Sequence, residues 1–393
     1  MAYSQHNEEQ AAVWTAYGEG KPVRVPVSIF AGESMILLEP DLNPQGYTFQ
    51  DCFTDPAVMF AVQLQTQYWN AFHLPGDRPR GLPESWAITP FFQNITDAAW
   101  LGAPIHFYDT DGAPVTRALL TDDRKHLLFD RGIPDPFSGI LETGRRFYEY
   151  YRERAAKETF HDRPITVTEF YQGFSSDGPF TVACNLRGAT NFCLDLYEDP
   201  EYAQQLLSFI VESTIVRRRA WVEYYGLPRE RGGLYLPDDS IAMLSCEAYR
   251  ELVLPHHKRL SFADRAPGQK INVHLCGDSS RHFRLMRDEL AVGLFDTGFP
   301  IDHGWVRREL GPEVTIQGAL QHDVLLHGTA EEVAAETRRV LHSGVMEGGK
   351  FILIAGLLGG AGWRAPLHRE PARTPLDNLQ VMYDTCRAEG RYR

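Results

Sequence analysis

Lys270-Ile-Asn-Val-His-Leu275 reads as a strand. Ser279-Ser280 follows, opening a helix with Phe283, Met286 and Leu290 on one face, and then Leu294-Phe-Asp-Thr297 reads as a second strand. A strand, a helix and a second strand in this rhythm make a βαβ unit, in which the two strands run parallel. The same rhythm extends outward in both directions. Residues 165 to 170 form a β-branched strand with an aromatic end, and residues 179 to 196 are helix-like. Asp199-Pro200 starts a long helix, with an acceptor at the N-cap and proline at the first helical position, and Gly226 and Pro228 stop it. Leu234 to Leu236 is the next strand, and Ser245 caps a helix through about His257. Beyond the quoted passage come a strand at 314 to 317, a capping box at Thr329 and Glu332, a last strand at 350 to 355 and a last helix at 375 to 386.

The N-terminal part is less regular. A short helix at 7 to 18 and a strand at 26 to 30 precede a stretch holding Pro75, Pro79, Pro83 and Pro90. That density of ring-locked residues predicts an irregular insertion, a surface excursion or lid. Residues 113 to 129 read as a polar, hairpin-like segment. Seven or so βα units without a GxGxxG turn after the first strand predict a (β/α)8 TIM barrel in one domain spanning residues 1–393, with an N-terminal extension and a proline-rich insertion.

Length and charge narrow the function. The chain has 393 residues, with 39 Lys and Arg against 52 Asp and Glu, a formal net charge of −13. An acidic surface argues against nucleic acid or an anionic membrane as partner. The longest apolar run, residues 351 to 362, is too short and too glycine-broken to span a bilayer. The polar start, without a basic region, and six scattered cysteines are what a cytoplasmic protein with reduced thiols would show.

In a parallel barrel the working residues stand where strands end and βα loops begin. His274 and Cys276 are two apart on a strand, so their side chains share a direction, and imidazole with thiolate is a zinc-binding pair. The alternative is a buried histidine satisfied by a carbonyl, beside a small apolar cysteine. Asp238 and Asp239 follow a strand and suit general acid–base work, metal ligation or substrate anchoring; equally, one could cap a turn while the other is solvated. Glu169 at another strand end has the same standing. Phe170, Tyr171 and Tyr235, with Asp296 and Gln317, are candidate substrate-binding residues for a flat or apolar molecule. The glycine-rich run from Gly356 to Gly362 lacks the Lys-Ser/Thr of a phosphate-binding loop and reads as a tight turn.

Taken in order, Asp97-Ala-Ala-Trp-Leu-Gly102, Gly178-Pro-Phe-Thr-Val182, Asp199-Pro200, Asp238-Asp239, His274-Leu-Cys-Gly277, Gly328-Thr329 and Thr374-Pro-Leu-Asp-Asn378 resemble the uroporphyrinogen decarboxylase superfamily. The resemblance covers roughly residues 95 to 393 and implies a (β/α)8 barrel. The His-x-Cys pair is similar to that of the zinc- and corrinoid-dependent methyltransferase branch, which implies His274 and Cys276 as zinc ligands. It also implies a corrinoid (cobalamin) carried on a partner protein and a small-molecule methyl donor or acceptor. Where that branch has a second cysteine, this chain has Leu357. Glu169 is the first choice to complete the set, ahead of Asp239, His322 and His368. Porphyrinogen decarboxylation is disfavoured, because residues 1 to 70 hold only Lys21 and Arg24 against eight acids, and a polycarboxylate substrate needs guanidinium groups. Two readings remain beside methyl transfer, with a weak lean toward methyl ethers as donors: a decarboxylase-like lyase, and a barrel that binds a corrinoid protein or ligand without turnover.

Overall fold

In a computed structural model, residues 3–108, 112–230, 234–357 and 375–392 are described. Eight strands run parallel around a barrel: β1 Val27–Ala31, β2 Trp86–Ile88, β3 Arg163–Val167, β4 Tyr235–Pro237, β5 Ile271–Leu275, β6 Val292–Thr297, β7 Thr315–Ala319 and β8 Phe351–Leu357. The wall is not closed by hydrogen bonds. One ladder joins six strands in the order β1-β8-β7-β6-β5-β4, while β2 and β3 pair with each other and carry a short antiparallel strand, Thr159–Phe160. Two seams, β1/β2 and β3/β4, therefore separate a six-stranded arc from a two-stranded slab.

Alternation along the strands shows which face lies where. In β5, Ile271, Val273 and Leu275 are fully buried, whereas Asn272 and His274 are partly open. The apolar set lies under the surrounding helices, each such side chain contributing about 1.5–3 kcal/mol by burial. The alternate set lines the lumen. It includes Tyr235 and Phe30, both among the exposed large side chains.

The helices sit where the sequence places them. Asp199 accepts from the Tyr202 N–H at the head of the helix Pro200–Tyr224, and Thr329 and Glu332 form a complete capping box for Ala330–Val340. The helix-like run at 179 to 196 is two helices, Pro179–Arg187 and Ala189–Glu198, broken at Gly188, whose φ is +86°. Ser280–Leu290 begins with Asp278 accepting from the Ser280 N–H and hydroxyl, and Ser279 makes no side-chain cap.

The proline-rich region departs from expectation in two ways. Trp86–Ile88 forms β2 between Pro83 and Pro90, pairing with Ile165–Val167. Nor is the stretch before it a lid. Asp77 is buried, its N–H donates to the Val27 carbonyl at the start of β1, and its carboxylate takes Arg24 in a two-pronged ion pair. That is the end of the barrel opposite the mouth. The hairpin pairs Ile105–His106 with Val115–Thr116, slightly earlier than expected. Among the described residues no helix is long and apolar enough to cross a membrane.

Candidate metal centre

Strand register puts Pro237, His274, Asp296 and Gln317 side by side on one level across β4, β5, β6 and β7. Paired residues of neighbouring parallel strands point to the same face, so this level faces the lumen just below the mouth. The His274 ring is held at both nitrogens. Nδ1 lies 2.7 Å from Asp296 Oδ2, and Nε2 lies 3.2 Å from Cys276 Sγ and 4.0 Å from Asp239 Oδ1. The Cys276 N–H donates to Asp239 Oδ1 at 2.7 Å, tying the β4 loop to the end of β5. Tyr235 donates its hydroxyl to Asp296 Oδ2 at 3.0 Å and stacks loosely on the His274 ring.

Electrostatics follow from these contacts. Burial works against a charged His274, but the Asp296 carboxylate at one nitrogen and the Cys276 sulfur at the other outweigh it, raising the imidazole to about 11. Burial, then the charge of Asp296, pushes the Tyr235 phenol up, so it stays a donor.

Asp239, His274 and Cys276 place an oxygen, a nitrogen and a sulfur within 4.8 Å of one another. Around a tetrahedral zinc with bonds of about 2.0–2.3 Å, ligand atoms sit about 3.3–3.6 Å apart. The set fits such an ion after small side-chain rotations. Asp296 on Nδ1 would favour the tautomer that leaves Nε2 free for an ion, as carboxylate–histidine pairs do in metal sites. Three protein donors leave a fourth position for another molecule.

Asp239, not Glu169, is the carboxylate brought to the His-Cys pair. Strand β4 neighbours β5 directly, whereas β3 lies across a seam. Glu169 is exposed, with its backbone carbonyl accepting from Thr89 Oγ1. His322 heads the helix His322–His327 beside Phe299, outside the donor group. His368 and the side chain of Leu357 lie outside the described residues, as does most of the glycine run.

The neighbouring aspartate has a different task. Asp238 is wholly buried, and its two oxygens accept from the Phe180 and Thr181 N–H groups, from Thr181 Oγ1 and from His257 Nε2 at 2.7–3.0 Å. It anchors the start of the helix Pro179–Arg187 to β4 and presents no free oxygen to the lumen, so the acid–base role expected for it is withdrawn. Gly178 permits the approach: a Cβ there would sit 2.3 Å from the Pro237 carbonyl oxygen, and its φ is +82°.

Phe170 is likewise no substrate contact. It is fully buried between Phe92 and Trp221, edge to face with both. Tyr171 does reach the mouth, 41% exposed and stacked on Phe91. Gln317 faces the lumen beside Asp296, its carbonyl accepting from Thr297 Oγ1. Sequence reasoning missed Glu33, which follows β1 by two residues; the strand-end rule that nominated Glu169 also reaches it.

Residues 87–388 match the family model described as uroporphyrinogen decarboxylase (URO-D). A methylated-thiol–coenzyme M methyltransferase of Methanosarcina mazei is 27% identical over 216 residues, 53% of this chain but only 51% of that protein, so the chain matches about half of that relative's length. A methylcobamide:CoM methyltransferase of the same organism is 24% identical over 353 residues, covering 87% of this chain and 93% of the relative. A solved methyltransferase structure from Methanosarcina mazei superimposes with a TM-score of 0.58 at 18% identity, covering 96% of this chain and 98% of the other, which establishes the shared barrel. With three quarters of its length matching that family model, the chain belongs to the uroporphyrinogen decarboxylase family.

Proposed function

We propose that the chain is a zinc-dependent methyltransferase that moves a methyl group between a small molecule and a corrinoid protein or a thiol. The observation that carries this reading is the convergence of His274, Cys276 and Asp239 at the barrel mouth, with Asp296 behind the imidazole. The names of the two sequence relatives, both methyltransferases, point the same way.

Zinc held by these three groups would supply a Lewis acid, lowering the pKa of a thiol acceptor or polarising the heteroatom of a methyl donor. The protein's own part is positional. Asp296 and Tyr235 hold the His274 ring so that Nε2 faces the donor group. With one thiolate instead of two, the donor set is less electron-rich and the ion more electrophilic. That suits donors with a poor leaving group, methyl ethers among them.

Metal analysis tests the reading. Purified protein should carry about one zinc per chain, and His274→Ala should hold less than about a tenth of that while folding normally, with methyl transfer from methylcobalamin to a thiol lost in parallel. A native protein that binds no zinc, or a His274→Ala variant that retains both metal and transfer, sinks it and leaves the metal-free lyase or the binding barrel.

A further inference from the structure

The seam between β1 and β2 opens into a cavity of about 180 Å³ on the side of the mouth away from the metal centre. Glu33, Gln63, Thr66, Thr89, Phe91 and Tyr171 are among the residues lining it, and among its described lining residues none is Lys, Arg or His. Small for a whole drug-sized ligand, which needs roughly 300–1,000 Å³, it suits a compact head group.

The polar groups around it are largely committed elsewhere. Gln63 Nε2 donates to the Thr89 carbonyl and its Oε1 accepts from the Thr89 N–H. Thr66 and Thr89 donate their hydroxyls to the carbonyls of Val62 and Glu169. Glu33 is different. Among the described residues it forms no ion pair, and loss of hydration holds its carboxyl above the ordinary range despite help from its own backbone and from Gln63. Glu33 and Tyr171 line the same cavity. Phe91 and Tyr171, also in the lining, form a stacked pair with ring centroids 6.1 Å apart at 23°.

A partly buried carboxylate that meets no cation among the described residues is costly to charge, and a cation entering beside it lowers that cost. A metal ion is not the natural occupant, because Glu33 belongs to no group of three ligating side chains among the described residues. Aromatic faces attract soft, weakly hydrated cations, and methylated ammonium groups above all.

We propose that this cavity is a binding subsite for the tertiary or quaternary ammonium group of a small molecule, with Glu33 supplying the countercharge and the Phe91–Tyr171 pair the aromatic face. The subsite stands independently of the metal centre, and binding rather than turnover tests it.

Calorimetric titration with choline and with its uncharged isostere 3,3-dimethylbutan-1-ol separates charge from shape. The wild-type protein should bind choline at least about ten-fold more tightly than the isostere. Glu33→Gln should erase that preference while leaving the melting temperature close to wild type. Tyr171→Leu, at an exposed position where folding is not at stake, should weaken choline by several-fold and the isostere less. Equal binding of the two probes, no binding of choline, or a preference that survives both substitutions overturns the proposal.

Discussion

The barrel wall has two unlike parts. The six-stranded arc is one continuous ladder, and its register alone fixes His274 beside Asp296 and Pro237 beside His274. The slab of β2 and β3 has no ladder to either neighbour; side chains and helices hold it in place. Phe170 wedges against Phe92, Phe147 lies behind Phe92, and Trp221 reaches across from the long helix Pro200–Tyr224. Chemistry that needs fixed distances sits on the arc. The cavity with Glu33, the proposed binding subsite, sits at a seam. Backbone hydrogen bonds set the spacing of donor atoms to a fraction of an ångström, whereas side-chain packing leaves room to adjust.

Phe170→Ala gives the harshest trial of that contrast. The ring is fully buried, and it lies so close to Gly144 that a Cβ there would fall 2.2 Å from it. Removing it should cost about 3–5 kcal/mol in denaturant unfolding. Hydrogen exchange should rise first in residues 86–88 and 163–167, while β5 and β6 keep their protection. Uniform loosening of all eight strands would mean that the slab is as firmly integrated as the arc.

Asp238 and Asp239 repeat the contrast within the arc, at adjacent positions on opposite faces of one strand end. Asp238→Ala strips a buried helix start and a buried histidine of their acceptor, and should destabilise by on the order of 3 kcal/mol with zinc affinity per folded molecule unchanged. Asp239→Ala should do the reverse: less than about 1 kcal/mol in stability, but zinc affinity lower by about ten-fold or more. Glu169→Gln, changed alongside, should leave zinc affinity where it is. A loss equal to that of Asp239→Ala would return Glu169 to the donor set.

How much of this was legible in the sequence follows from the same division. The arc could be read because its strands carry alternating apolar residues and its helices carry caps: Asp199-Pro200 and Thr329 with Glu332 are explicit signals. His274 and Cys276 could be paired because two residues along a strand return to the same face. The slab could be read only in part: residues 165 to 170 announce β3 by their β-branched run, and β2 has no such signal. Strand β2 is three residues between prolines, and the alternation of Trp86, Ala87 and Ile88 is too short to outweigh them. The partner carboxylate was misjudged for the same reason. Choosing between Glu169 and Asp239 requires knowing which strands share a ladder with β5, and no local pattern encodes a seam. Nor does a pair of adjacent acids announce which one faces inward; one residue of register decides it.

Tyr235→Phe should have the smallest effect, and it tests whether the arc's precision reaches past the candidate metal ligands. The hydroxyl touches neither His274 nor the donor group; it donates to the Asp296 oxygen that in turn holds His274 Nδ1. Losing one hydrogen bond to a carboxylate that keeps its other partner is worth about 0.5–1.5 kcal/mol, which corresponds to a few-fold to about ten-fold in zinc affinity. Competition with a chromogenic chelator would read it. Unchanged affinity would mean that Asp296 is fixed by its strand alone, and that the phenol serves the lumen rather than the ligand. A loss well beyond ten-fold would instead show the Tyr235, Asp296 and His274 chain acting as one unit, with ring orientation set by hydrogen bonds as much as by the ladder beneath it.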